Sequence, residues 1–170
     1  LPDNENLKSL WLDSSYEVLN KKIAETCDGI IACLYEYYKA YQPHFENKLT
    51  YIPLPINYTS IPVRAKQPSG KVNFFIGINR ARSEFKGTDI LRKVLEAVYE
   101  EYPQEMEIGI AESVPYDQYK KMMEDADVVL DQLYSYTPAM NGLLAMAMGK
   151  ILVGGGEPEM YNLLGEEKNK

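Results

Sequence analysis

The feature that most constrains this chain is a regular alternation of short apolar runs and amphipathic segments after residue 70. The first apolar run, Val72–Ile78, is too short for a soluble helix and is rich in β-forming residues, so it predicts a strand. A helix from residue 89 is predicted next, because apolar residues recur on one helical face: Ile90, Leu91, Val94, Leu95 and Val98. A strand followed by a helix is the half-unit of α/β domains.

The alternation continues with three further strand–helix pairs. The strands are predicted at residues 105–111, 127–131 and 150–153, and the helices at residues 116–125, 138–148 and 157–164. Repeated βα units with short connections predict an α/β fold with a Rossmann-like, doubly wound parallel sheet and helices on both faces.

The first part of the chain is patterned less regularly. Helices are predicted at residues 14–26 and 36–45, the first capped by Ser14 or Ser15, and strands at residues 29–34 and 49–52. Residues 58–70 contain Pro62 and Pro68 among serines, and proline opposes regular structure, so they predict a linker. We therefore expect residues 1–57 to end one domain and residues 71–170 to form a second.

Composition excludes several classes of protein. A net charge of −7 argues against broad nucleic-acid binding, and no apolar run approaches the ~20 residues that span a bilayer. No signal-peptide pattern is present, so a cytoplasmic location is the default expectation. Cys27 and Cys33 lack metal-ligand spacing and are expected to be reduced core residues. His44, the sole histidine, is expected at the surface or as a cap, so no metal site is predicted.

The four loops that follow the strands of residues 71–170 should lie together, because ligands of open parallel sheets bind beyond the carboxyl ends of the strands. The first loop, residues 79–86, carries Arg80, Arg82 and Lys86 in an otherwise acidic chain. The helix near Gly87 adds unpaired amides. The combination predicts a phosphate site, and the alternative is an ordinary solvated basic loop.

The second and third loops add further candidates. Residues 112–115 form the second loop and contribute Val114. In the third, Thr137 is a suitable N-cap and Pro138 suits the first helical position. The amides of the next three residues would then face the same edge as an anion site: Ala139, Met140 and Asn141. An ordinary capped helix is the alternative.

The fourth loop has three consecutive glycines, residues 154–156, which allow close approach of the backbone to a ligand. Glu157 and Glu159 follow, and we expect one of them to accept hydrogen bonds from sugar hydroxyls, unless they only complement a helix N-terminus. The chain has neither a G-x-G-x-x-G after Val72 nor a P-loop.

The order of these segments resembles the donor-binding half of GT-B glycosyltransferases, and most closely the large retaining family 4. The segments that carry the resemblance are Gly77 with the basic residues after it, Lys86-Gly87, Leu144-Ala145-Met146-Ala147-Met148-Gly149, and Gly155-Gly156-Glu157-Pro158-Glu159. Residues 24–57 also resemble the end of that family's acceptor half and its crossover to the donor half.

The resemblance implies transfer of a sugar from a nucleotide-sugar donor to a glycan, lipid-linked or polysaccharide acceptor. A missing N-terminal domain would bind the acceptor, so we expect this fragment alone to be inactive and its donor-binding domain to be truncated. In the family an arginine and a lysine bind the donor diphosphate. Lys86 matches the lysine, whereas Arg80 and Arg82 both fit the arginine. The resemblance implies neither a metal nor a further cofactor. It is compatible with peripheral association of the full-length protein with the inner face of a membrane.

Two positions depart from the family pattern. The family's two glutamates, eight residues apart, correspond here to Tyr136 and Leu144. The first alternative is that other residues contact the donor, such as Asn141, Glu157 or Glu159. The second is a nucleotide-sugar-binding module or scaffold without catalysis, and the third is a GT-B nucleotide-sugar epimerase.

Overall fold

The computed structural model describes residues 11–61, 63 and 70–166. The chain divides into two compact units, residues 1–54 with 158–170, and residues 55–157. Most of the predicted linker, at residues 62 and 64–69, lies outside the described residues. The final helix groups with the first unit, whereas the sequence placed it in the same domain as residues 71–157.

The first unit contains a two-stranded parallel sheet, β1 (Ile30–Ala32) and β2 (Leu49–Tyr51), with helices α1 (Ser15–Thr26) and α2 (Tyr35–Phe45). Ser14 caps α1, because its side chain accepts a hydrogen bond from the Glu17 N–H.

Two expectations for this unit are corrected. Cys27 and Cys33 are free thiols, as expected, but both are half-buried and neither is in the core. The sequence also predicts an apolar face on α1, made by Val18, Leu19, Ile23 and Ala24, but only Ala24 is buried and the other three stay more than half exposed.

The second unit is built on a four-stranded sheet in the order β4–β3–β5–β6, where β3 is Val72–Ile78, β4 is Met106–Glu112, β5 is Val128–Leu130 and β6 is Ile151–Val153. All neighbouring strands run parallel. The predicted parallel α/β sheet is therefore confirmed, and it is compatible with a Rossmann-like fold.

Helices cover both faces of this sheet. Residues 83–86 form the single turn α3 (Ser83–Lys86), and the longer α4 (Thr88–Glu101) packs through Leu91 and Leu95 beside Ile76. On the other face, α5 (Tyr116–Asp125) and α6 (Met140–Ala147) pack on the cluster that contains Phe75. Because side chains alternate along a strand, the neighbours Phe75 and Ile76 serve opposite cores. The last helix, α7 (Pro158–Leu164), contacts α2 in the first unit.

The strand order creates a topological switch point. From β3 the chain passes through α4 to β4, and it then crosses back through α5 to place β5 on the other side of β3. The following helix, α6, continues away from β3. The carboxyl ends of β3 and β5 therefore border the crevice in which open α/β sheets bind ligands.

Two predicted element boundaries are wrong. Residues 79–86 are not an open loop, because they form a 3₁₀ turn, Arg80–Arg82, and the helical turn α3. Helix α6 begins at Met140 after the N-cap residue Ala139, later than the predicted cap Thr137. The Ser135 Oγ accepts from the Thr137 N–H and donates to the Thr137 carbonyl oxygen, and these bonds hold residues 135–137 outside the helix.

Candidate functional site

The first basic segment is anchored to the loop that follows β5. The Lys86 carbonyl oxygen accepts hydrogen bonds from the N–H groups of Leu133 at 2.8 Å and Tyr134 at 3.3 Å. Gly87 ends α3 with a φ of 69°, and a Cβ there would stand 2.8 Å from the Leu133 Cβ. Only glycine meets both conditions without strain, so Lys86-Gly87 is fixed at this sheet edge.

The glycine loop after β6, residues 154–156, packs on the loop that follows β5. The Gly155 N–H donates to the Gln132 carbonyl oxygen at 2.8 Å, and a Cβ at Gly155 would stand 2.6 Å from the Ser135 carbonyl oxygen. The Glu157 N–H approaches the Tyr136 carbonyl oxygen at 3.4 Å. Gly154 and Gly155 therefore serve close packing of two loops, whereas a Cβ at Gly156 would have nothing within 4 Å; the sequence suggested close approach of all three to a ligand.

The buried carboxylate of Asp131 lies at the switch point. The sequence did not single out this residue. It directly follows β5, is 9% exposed, and accepts hydrogen bonds from the N–H groups of Gln132 and Gly142. Burial raises its pKa above the ordinary value, while the nearby Lys86 ammonium and the two N–H donors oppose that rise. An acid directly after three buried apolar residues was the signal available in the sequence.

Asp131 also changes the expected anion site at α6. Its carboxylate takes the N–H of Gly142, the third residue of that helix. The N–H groups of Met140 and Asn141 donate to no residue in the described part of the chain. Two of the three predicted amide positions therefore remain available, whereas Ala139 is the capping residue ahead of the helix.

Two of the predicted cations are in different environments. The Arg80 guanidinium pairs with Glu112 at 2.7 Å and lowers the pKa of that carboxyl group, and Arg92 approaches the same carboxylate at 3.5 Å. Arg82 is exposed, and its side chain forms no ion pair or hydrogen bond with any residue that the structure describes. Of the two arginines, Arg82 is therefore the uncommitted cation.

Tyr119 is a second residue that the sequence analysis missed. Its ring lies over Gly77 near the end of β3, and its hydroxyl oxygen accepts a hydrogen bond from the Asn141 side-chain amide. Tyr119 comes from α5 and Asn141 from α6, so one side-chain contact joins the two helices at the sheet edge. The sequence offered no signal for this contact, since its partners are far apart in the chain.

The remaining predicted residues do not converge on the crevice. Val114 packs against the core on the α5 face, and Leu144 packs against the same core. Glu157 and Glu159 are both exposed, and Glu159 belongs to the first compact unit. Tyr136 is 42% exposed. Tyr136 and Leu144 correspond to the glutamates of the family that the sequence resembles, and neither side chain is a carboxylate.

Two open depressions occur elsewhere in the described sequence. One open depression is at the end of α2 beside the exposed His44, and another runs along the charged face of α5. Among the described residues, no group of three or more potential metal ligands occurs, and no helix is long and apolar enough to cross a membrane.

Fold and site together define an α/β protein in which Lys86, Asp131 and Asn141 lie on segments at the switch point of a parallel sheet. No protein-family model matches the chain, and no curated protein matches it either.

Proposed function

We propose that this chain binds the diphosphate of a nucleotide sugar at the switch-point crevice. It would thereby form the donor-binding part of a GT-B-type glycosyltransferase that transfers the sugar to a glycan, lipid-linked or polysaccharide acceptor. The observation that carries the proposal is the position of Lys86, whose backbone is fixed to the loop after β5 and whose positive charge acts on the buried Asp131 carboxyl group. That position is where an open α/β sheet receives its ligand.

The crevice supplies the groups that a diphosphate requires. Lys86 offers a cation, and the N–H groups of Met140 and Asn141 offer donors at the positive end of the α6 dipole. In sugar transfer the leaving diphosphate gains negative charge, so donors that are already in place lower the barrier.

Asp131 has a supporting place in this proposal. Its carboxylate attracts the Lys86 ammonium electrostatically and accepts the N–H of Gly142 in α6, which favours a lysine orientation near the crevice before a ligand arrives. Such preorganisation reduces the entropy lost when the ligand binds.

Arg82 is proposed as the second cation for the diphosphate, in preference to Arg80. Arg80 is already hydrogen-bonded to Glu112, and using it for a ligand would leave that carboxylate with only the longer contact to Arg92. Arg82 can turn toward a ligand without breaking a described ion pair.

A nucleotide-sugar-binding module without catalysis is the second candidate. It is favoured by the surroundings of Leu144, which packs against the hydrophobic core where the family resemblance implies a glutamate. A carboxylate introduced there would face the hydrophobic core, so the second of the family's two glutamates has no direct substitute at that position.

Calorimetric titration of the chain with UDP-, GDP- and ADP-sugars tests the proposal. We expect one nucleotide series to bind, and the free nucleoside diphosphate of that series to bind as well. Binding of none would overturn the proposal. Incubating the same donor with the full-length protein and an acceptor extract then separates the candidates, since only the enzyme consumes the donor.

A further inference from the structure

Tyr119 occupies the space above the end of β3 at the proposed site. A Cβ on Gly77 would stand 2.8 Å from the Tyr119 Cζ, so only glycine at that position admits the ring. The same ring packs edge-on against the buried Phe75, with ring centroids 5.1 Å apart. Tyr119 is therefore held by packing at a fixed place on the carboxyl edge of the sheet.

The hydrogen bond between Tyr119 and Asn141 leaves two polar functions unused. The Asn141 Nδ2 donates to the Tyr119 hydroxyl oxygen, so the phenolic O–H remains as a donor. The Asn141 Oδ1 remains as an acceptor. Neither function has a partner among the described residues, and burial raises the pKa of Tyr119, which keeps its proton at neutral pH.

We infer that Tyr119 and Asn141 together bind a hydroxyl group of the transferred sugar and thereby select the donor. This inference rests on the function proposed above. A sugar hydroxyl both accepts and donates a hydrogen bond, so it matches a pair that offers one donor and one acceptor. An ionised phosphate oxygen satisfies Tyr119 but has no proton for the Asn141 Oδ1, so the pair fits the diphosphate less well.

The location of the pair agrees with this division of the ligand. Asn141 is the second residue of α6, and its backbone N–H is one of the two donors proposed for the diphosphate. A group held by its side chain would therefore lie next to the phosphates, where the transferred sugar is attached. The inference assigns the sugar to Tyr119 and Asn141, and leaves the diphosphate to Lys86 and the helix amides.

Tyr119→Phe tests the assignment, because it removes the hydroxyl and keeps the ring on Gly77 and Phe75. Wild type and variant are titrated with a nucleotide sugar and with its free nucleoside diphosphate. We expect the variant to bind the nucleotide sugar about tenfold more weakly, because it loses one hydrogen bond in a buried site. Its affinity for the free nucleoside diphosphate should equal that of wild type. Tyr116→Phe, at an exposed tyrosine of the same helix, should change neither affinity.

A second variant displaces the ring without altering it. Gly77→Ala would force Tyr119 away, and it should reproduce the loss for the nucleotide sugar. Gly109→Ala on β4 is the matched control, since its Cβ would find ordinary contacts no closer than 3.7 Å. Circular dichroism of both variants verifies that the sheet still folds.

The outcomes are distinguishable. If wild type binds no nucleotide, the proposed function fails and this inference fails with it. If Tyr119→Phe weakens the diphosphate and the nucleotide sugar equally, the pair contacts the phosphates or the ribose, and the sugar assignment is wrong. If Tyr119→Phe changes neither affinity while wild type binds both, the proposed function stands and only this inference falls.

Discussion

The carbonyl oxygen of Lys86 accepts a hydrogen bond from the N–H of Leu133 across 2.8 Å. This bond ties the end of α3 to the loop after β5, although the two residues belong to different βα units. It explains why a lysine at the end of a single helical turn can be held firmly. A short helix would otherwise fray, because it has too few internal hydrogen bonds to persist alone.

Lys86→Ala should weaken binding of the nucleoside diphosphate and its sugar conjugate alike. If the protein is the proposed glycosyltransferase, removing one positioned charge that stabilises a developing anion should lower its turnover by about one to three orders of magnitude. Calorimetry measures the first effect and a donor-consumption assay the second. Lys93→Ala removes an equal charge from an exposed position on α4 and is the control. Equal losses in both variants would exclude a local role for Lys86.

Arg82→Ala should weaken diphosphate binding about fivefold or more at low salt, and Arg80→Ala should weaken it less. The difference is expected because Arg80 is engaged by Glu112 and Arg82 is not. Both variants change the net charge equally, so each serves as the control for the other in a calorimetric comparison. A larger loss in Arg80→Ala would show that Arg80 leaves Glu112 when the ligand binds.

Gly87→Ala should lower the free energy of unfolding by more than Gly70→Ala does. Both glycines have positive φ, 69° and 80°, which costs an alanine about 1–2 kcal/mol. Only at Gly87 would the new Cβ also collide with Leu133, since nothing lies within 4 Å of a Cβ at Gly70. Urea unfolding measures the difference, which we expect to be about 1–3 kcal/mol for the overpacked contact. Equal losses of unfolding free energy in the two variants would show that the loop after β5 moves aside for the new Cβ at little cost.

Asp131→Asn should reduce the pH dependence of stability. The pKa of Asp131 is raised above its ordinary value of 3.8, chiefly by burial, so the folded state holds this proton more tightly than the unfolded chain. Its contribution to stability is complete below pH 3.8 and is lost as the pH rises through the folded-state pKa. Urea unfolding across this window should therefore show a shallower decline with rising pH in the variant.

The control for that measurement is Asp125→Asn, at an exposed aspartate that ends α5. It should leave the slope as in wild type. If the free energy of unfolding of Asp131→Asn changed with pH as steeply as that of wild type, the Asp131 carboxyl group would bind its proton equally well in the folded and unfolded states.

The sequence predicted β3 and α5 with the same boundaries as the structure, and the physical reason is local. Val72–Ile78 is a short, mostly apolar run rich in β-forming residues, and Tyr116–Asp125 starts directly after Pro115. Residues 79–86 include good helix formers, but they fold into two turns of three and four residues. Turns this short do not show the repeated spacing of apolar residues by which a helix is recognised in a sequence. The strand order was not predictable either, because local patterns do not show which strands pair.

The same limit applies to the candidate site. Lys86 and Gly87 stand out in the sequence as a cation and a helix-breaking glycine. Asp131 follows an apolar run and Tyr119 stands among polar residues, and the role of each depends on partners elsewhere in the chain. Asp131 meets the N–H of Gly142, and the Tyr119 ring covers Gly77. Contacts of this kind become visible only once the helices are packed on the sheet.

The bonds that join the three loops at the sheet edge have a practical consequence for protein engineering. Lys86, Leu133, Gln132 and Gly155 are connected through carbonyl oxygens and N–H groups of the main chain. Such bonds do not depend on side-chain identity, so substitutions of exposed side chains in this segment should keep the main-chain scaffold that carries Lys86. The segment between β5 and α6 can thus be diversified around the proposed site, while Tyr119 and Asn141, the pair proposed to select the donor, lie on the flanking helices.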